Sequence, residues 1–215
     1  LSLHDALPIY SRPKTPKDAW KAMVSGNQRF VSGDPAHPRQ DIDRREDVAG
    51  QQRPFAALFG CADSRLSAEI IFDVGLGDLF VVRNAGQVIA ETILGSLEYA
   101  VEVLEVPLIL VLGHDECGAI RATIDATEGK LASEGEFIHD LVERIRPTVE
   151  ASQAKGRFAI DEITELHIQD TINDILTRSS LISNAVKAGK LAVVGANYKL
   201  ALGEIHPLVT VGEVA

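Results

Sequence analysis

Pro107-Leu-Ile-Leu-Val-Leu-Gly113 is apolar at every position between a proline and a glycine. A run this short and continuous reads as a buried strand, of the kind found in sheets covered by helices. The chain holds others. Pro54-Phe-Ala-Ala-Leu-Phe-Gly60, Leu79-Phe-Val-Val-Arg83 and Leu191-Ala-Val-Val-Gly195 read the same way. Pro207-Leu-Val-Thr-Val211 reads as an edge strand, where proline is tolerated. Helical periods lie between them. Ile93, Leu94, Leu97, Val101 and Leu104 form one stripe. Residues 137–149 and 164–182 form two more, joined by a polar linker near Gly156. Strands alternating with helices predict a parallel α/β sheet.

An earlier helix opens at Thr15, a good N-cap, with Pro16 at the first helical position. Ala19, Trp20, Met23 and Val24 share its apolar stripe, and Gly26 lies near its end. A polar loop follows over residues 33–40. The expected organisation is an N-terminal helical arm, residues 11–50, on a single α/β domain, residues 51–215. Residues 1–10 have neither the basic nor the apolar segment of a signal peptide and are read as foreign or disordered.

The whole-chain balance narrows the function. A chain of 215 residues, 46% of them hydrophobic, supports one domain with a sizeable core. The formal charge of −10 argues against a basic face for nucleic acid. No stretch approaches the ~20 apolar residues that span a bilayer. Two cysteines without a secretory segment point to a reducing compartment, the cytoplasm.

Those two cysteines sit in informative places. Cys61 follows the first strand, in Cys61-Ala62-Asp63-Ser64-Arg65, and Cys117 closes Gly113-His114-Asp115-Glu116-Cys117-Gly118, which follows the third. In open α/β sheets, sites form beyond the carboxyl ends of strands, at a switch point. Neighbouring strands would bring the two turns together across about 4.8 Å. Cys61, His114 and Cys117 would then offer two thiolates and an imidazole, the ligand set of a catalytic zinc with one open position. The bland alternative is two buried thiols, since free cysteine often acts as a small apolar residue. Asp63 and Arg65 are two apart, which in a turn lets both point into one cleft. A guanidinium beside the carboxylate keeps it ionised and able to orient a water. The competing reading is a surface ion pair, worth about 0–1 kcal/mol.

These two elements resemble the β-class carbonic anhydrases, most of all the actinobacterial type. Gly75-Leu-Gly-Asp-Leu-Phe-Val-Val-Arg-Asn84, Ser96-Leu-Glu-Tyr-Ala100 and Gly195-Ala-Asn-Tyr198 carry the same resemblance. It extends from about Thr15 to the C-terminus. The resemblance implies a four-stranded parallel sheet plus a fifth, antiparallel edge strand, flanked by helices. It implies homodimers, often paired into homotetramers, with the site at the dimer interface. One Zn2+ per chain would be held by Cys61, His114 and Cys117. Asp63 and Arg65 would form the catalytic dyad, with Asp63 as a fourth ligand in a closed state. Substrate would meet Gln52 from the partner subunit, an apolar pocket including Phe80 and Tyr99, and the backbone N–H of Gly118. The implied reaction is reversible hydration of CO2 to bicarbonate and a proton.

One departure stands out. Some bacterial members bind inhibitory bicarbonate at a second site through a Trp, an Arg and a Tyr. Arg83 and Tyr198 match two of these, but Leu58 stands at the Trp position, so strong bicarbonate inhibition is not expected. Two rival functions share the ligand set. One is a structural zinc module with Asp63 as a permanent fourth ligand; the other is a hydrolase of CS2 or COS. No proton shuttle is evident: His37, His139, His167 and His206 read as surface or structural residues.

Overall fold

The computed structural model describes residues 12–131 and 133–214; the segment 1–10, read above as foreign, lies outside them. Helix α1 (Pro16–Ser32) and the short α2 (Ile42–Val48) precede strand β1 (Ala56–Cys61). Next come α3 (Ala68–Ile71), β2 (Leu79–Asn84), a 3-10 turn (Ala85–Gln87) and α4 (Glu91–Glu102). Strand β3 (Leu108–His114) is followed by α5 (Gly118–Thr127), α6 (Glu136–Gln153), α7 (Ile160–Arg178) and α8 (Ser180–Lys187). Strands β4 (Ala192–Lys199) and β5 (Glu204–Val211) close the fold.

The strands form one sheet in the order β2-β1-β3-β4-β5. The first four run parallel and β5 pairs antiparallel with β4, as the resemblance implied. From β1 the chain crosses to β2 on one side, then returns to β3 on the other. The switch point therefore lies between β1 and β3, beyond Cys61 and His114.

Apolar runs make these strands because both faces are covered. Leu108, Leu110 and Leu112 face α1, α3, α5 and α6. The alternate residues Ile109 and Val111 face α4, α7 and α8. Every residue of β1 and β3 is buried, which removes the polar alternation of a one-sided sheet.

Three expectations need correction. Helix α1 does not end near Gly26; it runs to Ser32 and is capped by Gly33 at φ 73°. Gly26 serves instead for close approach, because a Cβ there would lie 1.7 Å from the carbonyl oxygen of Phe72. The period over 164–182 is two helices, not one. Ser179 leaves helical geometry (φ −108°, ψ 102°) and its hydroxyl accepts the Ile182 amide, capping α8. The last strand starts at Glu204, before Pro207, with a register shift opposite it at Gly195/Ala196.

Buried carboxylates tie the arm to the β1–β2 crossover. Asp73 accepts the amides of Ala36 and His37 and pairs with Arg29. Asp78 pairs with Arg39 and Arg44. Burial works to raise the Asp73 pKa, but the two amides and the Arg29 guanidinium outweigh it and hold the group below the usual carboxylate range.

Candidate metal centre

The last residues of β1 and β3 bring the two turns together. Gly60 pairs with Leu112 in the parallel register, so Cys61 and His114 leave the sheet side by side. Cys117 is the N-cap of α5, one turn beyond His114. The ligand atoms of Cys61, His114 and Cys117 all lie within 4.8 Å of one another, and all three residues are buried. The thiols form no disulfide.

The donor set fits a soft divalent cation. His114 Nδ1 lies 2.7 Å from the Asp115 carbonyl oxygen, which can only accept, so Nδ1 carries the ring proton. The Nε2 lone pair is thereby turned to the thiols. That nitrogen is fully buried and has no hydrogen-bond partner among the described residues, a costly state for a protein atom that nothing engages. The Cys117 thiol lies beside Cys61, within reach to form a hydrogen bond to its sulfur. That bond, with help from the Gly86 amide, outweighs burial and pulls the Cys61 thiol below its ordinary range. Cys117 is pushed up, first by that same bond and then by burial. Amides of the first turn of α5, at Ile120 and Ala119, act in the opposite direction on Cys117. A cation held by these residues would take the place of the thiol proton and let both sulfurs become thiolates.

Asp63 and Arg65 meet as their spacing predicts. Arg65 Nε and Nη2 donate to the two Asp63 oxygens at 2.9 and 2.7 Å, and the Arg65 amide adds a third bond. The side-chain bonds to Arg65 are the main reason that Asp63 sits far below the usual carboxylate range. Arg65 also donates to the Glu116 carbonyl at 3.3 Å, clasping the first turn to the second. Asp63 Oδ2 lies 3.8 Å from His114 Nε2, beside the three ligands.

Two contributors escaped the sequence reading. Arg83, noted above only as a match to the second bicarbonate site, donates to the carbonyls of Cys61 and Asp63 at 2.9 and 2.6 Å and braces the Cys-x-Asp turn from β2. The Gly86 amide donates to Cys61 Sγ at 3.4 Å. The signal for Arg83 is its register opposite Gly60, one residue before Cys61, which appears only once the strands pair. Gly118 begins α5, where first-turn amides have no partner inside the helix. Gln52 and Tyr99 lie elsewhere in the chain. They line a cavity of about 540 Å3 with Gln51, Arg53 and Val103, and none of the three ligands reaches it. The Phe80 ring packs against Tyr99 at 6.0 Å between centroids.

Comparison with known proteins places this geometry. A family model described as carbonic anhydrase matches residues 56–205. Carbonic anhydrase 2 of Mycobacterium tuberculosis is 51% identical over 186 residues, covering 86% of this chain and 89% of that protein. Carbonic anhydrase of Mycolicibacterium smegmatis is 48% identical over 200 residues, covering 93% of this chain and 96% of that one. Among solved structures, the Coccomyxa β-carbonic anhydrase in complex with acetazolamide is 25% identical with a TM-score of 0.68, covering 90% of this chain and 86% of that one. A tetrameric β-carbonic anhydrase of Sordaria macrospora, 22% identical, shares the fold at a TM-score of 0.70 over 90% of this chain and 98% of that one.

Proposed function

The chain belongs to the β-class carbonic anhydrases, of the actinobacterial type, and hydrates CO2 reversibly with zinc; on that premise we propose which residues carry the reaction. Cys61, His114 and Cys117 hold the ion, and Asp63 and Arg65 serve the chemistry. The carrying observation is the convergence of three buried donors, one of them an Nε2 with no other partner. Zinc supplies Lewis acidity there, bringing the pKa of a coordinated water towards about 7 so that a nucleophile exists at neutral pH.

The remaining work falls to the chain. Arg65 keeps Asp63 ionised, so Asp63 can only accept. It takes the O–H of the attacking water and turns an oxygen lone pair towards the carbon of CO2. The new C–O bond makes bicarbonate, and the water's other proton leaves to solvent or buffer. Gly118 offers its amide to the substrate. A closed state, with Asp63 released from Arg65 and ligating the ion, belongs to the same proposal; an activity flat from neutral into mild acid would count against it.

Gln52, Phe80 and Tyr99 serve this chemistry from a second copy. Gln52 is exposed, Tyr99 is 44% exposed and Phe80 is half-buried; none of their own chain's ligands reaches the cavity that Gln52 and Tyr99 line, and Phe80 stands beside Ala57, at the other end of β1 from Cys61. The proposal therefore includes a homodimer, and pairing of dimers into a homotetramer is supported by the tetrameric relative of the same fold. We read residues 11–50 as an arm on a single domain, 51–215. Cytoplasmic residence is supported by two free thiols that a reducing compartment preserves. Among the described residues, no helix is long and apolar enough to cross a membrane.

The test is zinc content per chain with stopped-flow CO2 hydration, on wild type, Cys61→Ser and Asp63→Asn. Wild type should carry one zinc per chain and turn over. Cys61→Ser should lose the metal, and Asp63→Asn should keep it while losing rate. Full zinc retention by Cys61→Ser would discard the assignment.

A further inference from the structure

Cys61 Sγ is held by more than its own strand. The amide reaching it belongs to Gly86, in the 3-10 turn after β2, at φ 72°. A Cβ on Gly86 would lie 2.8 Å from Ala119 Cβ on α5 and 2.8 Å from Ile145 Cδ1 on α6. Two helices thus crowd the turn, and only glycine fits there in that conformation.

A third helix fixes the turn from another side. His167, on α7, is 6% exposed, and its Nε2 lies 2.8 Å from the Gly86 carbonyl oxygen. A carbonyl cannot donate, so Nε2 must carry the proton, and a neutral ring then leaves Nδ1 bare. Nδ1 has no hydrogen-bond partner among the described residues, as a bare acceptor allows. Burial pushes this imidazole's pKa down, which keeps the ring neutral.

We infer that His167 is a positioning residue of the metal centre: its Nε2–H pins the Gly86 carbonyl and so aims the Gly86 N–H at the Cys61 sulfur. The inference rests on Cys61 being a zinc ligand. Its physical content is that a thiolate accepting an aimed amide has its charge spread and its direction set before the ion arrives. With the His167 donor removed, the Gly86 carbonyl is left unpaired in a buried place, and the turn relaxes to find another partner. A side chain needed only for stability would lower the melting temperature of metal-free and zinc-loaded protein alike and leave zinc affinity where it was.

The test uses the full chain. In wild type, long-range 1H–15N NMR should find the His167 ring protonated at Nε2; a ring protonated at Nδ1 overturns the proposal outright. Zinc affinity is then measured by competition with a chelator. His167→Leu removes the donor and should weaken zinc by about tenfold or more, the scale of lost outer-shell bonds. His167→Gln, whose amide reaches the same position, should stay within about threefold of wild type. A folded His167→Leu that binds zinc as wild type does would refute the role, as would a folded His167→Gln as weak as expected for leucine. If the leucine variant does not fold, the ring tautomer and the glutamine variant decide. Cys61→Ser in the same assay separates the two questions: zinc retained there removes the ligand assignment itself.

Discussion

Replacing Gly26 by alanine sets two effects of opposite sign against each other. In an isolated helix the change is favourable by about 1 kcal/mol. In the folded chain the new methyl would stand 1.7 Å from the Phe72 oxygen, a backbone atom that no rotamer change can move. To restore a tolerable C···O contact of about 3.3–3.6 Å, α1 must withdraw by about 1.6–1.9 Å. That breaks the anchoring of Asn27, whose side chain donates to the carbonyls of Ile71 and Gly203 and accepts the Ile205 amide. Three such bonds, at about 0.5–1.5 kcal/mol each, outweigh the propensity gain by themselves near mid-range. Met23, fully buried on the same face, loses part of the about 1.5–3 kcal/mol that burial of its side chain contributes. The net cost comes to about 3–4 kcal/mol, well above a typical surface substitution. For a chain of this size that corresponds to a melting temperature lower by roughly 6–16 °C. The measurement is calorimetry or circular dichroism of zinc-loaded protein at matched protomer concentration. A Gly26→Ala variant melting at or above wild type would refute the close-approach argument and leave helix propensity as the winner.

Other perturbations probe the site and its frame. Chelation should abolish CO2 hydration, with activity returning on zinc addition, since two of the three donors bind as thiolates; stopped-flow measurement before and after follows it. Asp63→Asn should keep one zinc per chain and lower kcat/KM by about 10²-fold or more, the scale of a positioned proton acceptor, as read by stopped-flow with metal analysis. Ser179→Ala removes the cap of α8 and the bond to Glu98, and should cost about 1 kcal/mol, seen as a lower urea midpoint. The Asp73 pKa is lowered on folding, so its contribution to stability is complete above the unfolded value of about 3.9 and disappears as pH falls through the folded value. Urea midpoints of metal-free protein should therefore fall more steeply below about pH 4 in wild type than in Asp73→Asn; parallel profiles would rule Asp73 out as a contributor.

The strands were legible because burial on both faces leaves an uninterrupted apolar run, and Thr15-Pro16 marked the start of α1 by capping chemistry alone. The one-turn helix α3 and the 3-10 turn were not, since four or three residues carry no period. The break at Ser179 was hidden because apolar spacing continues across it from Ile175 to Ile182. Helix α5 buries only Ile120 and Thr123, too few to mark a stripe. Cys61, His114 and Cys117 could be grouped from sequence because each lies at or just beyond a strand end, where topology does the assembling. Arg83, Gly86 and His167 could not. Each acts through a backbone contact from β2, the turn after it or α7, and such approaches leave no mark in residue spacing.

The group of three buried donors is complete at Cys117, but the imidazole that reaches Gly86 comes from position 167, fifty residues later. At about 5–20 residues per second, a ribosome takes about 3–10 s to cover that interval. During it the nascent chain owns all three donors, and β1 and β3 are already made, while α7 is not. The three donors are thus synthesised before the side chain that braces the turn beside one of them.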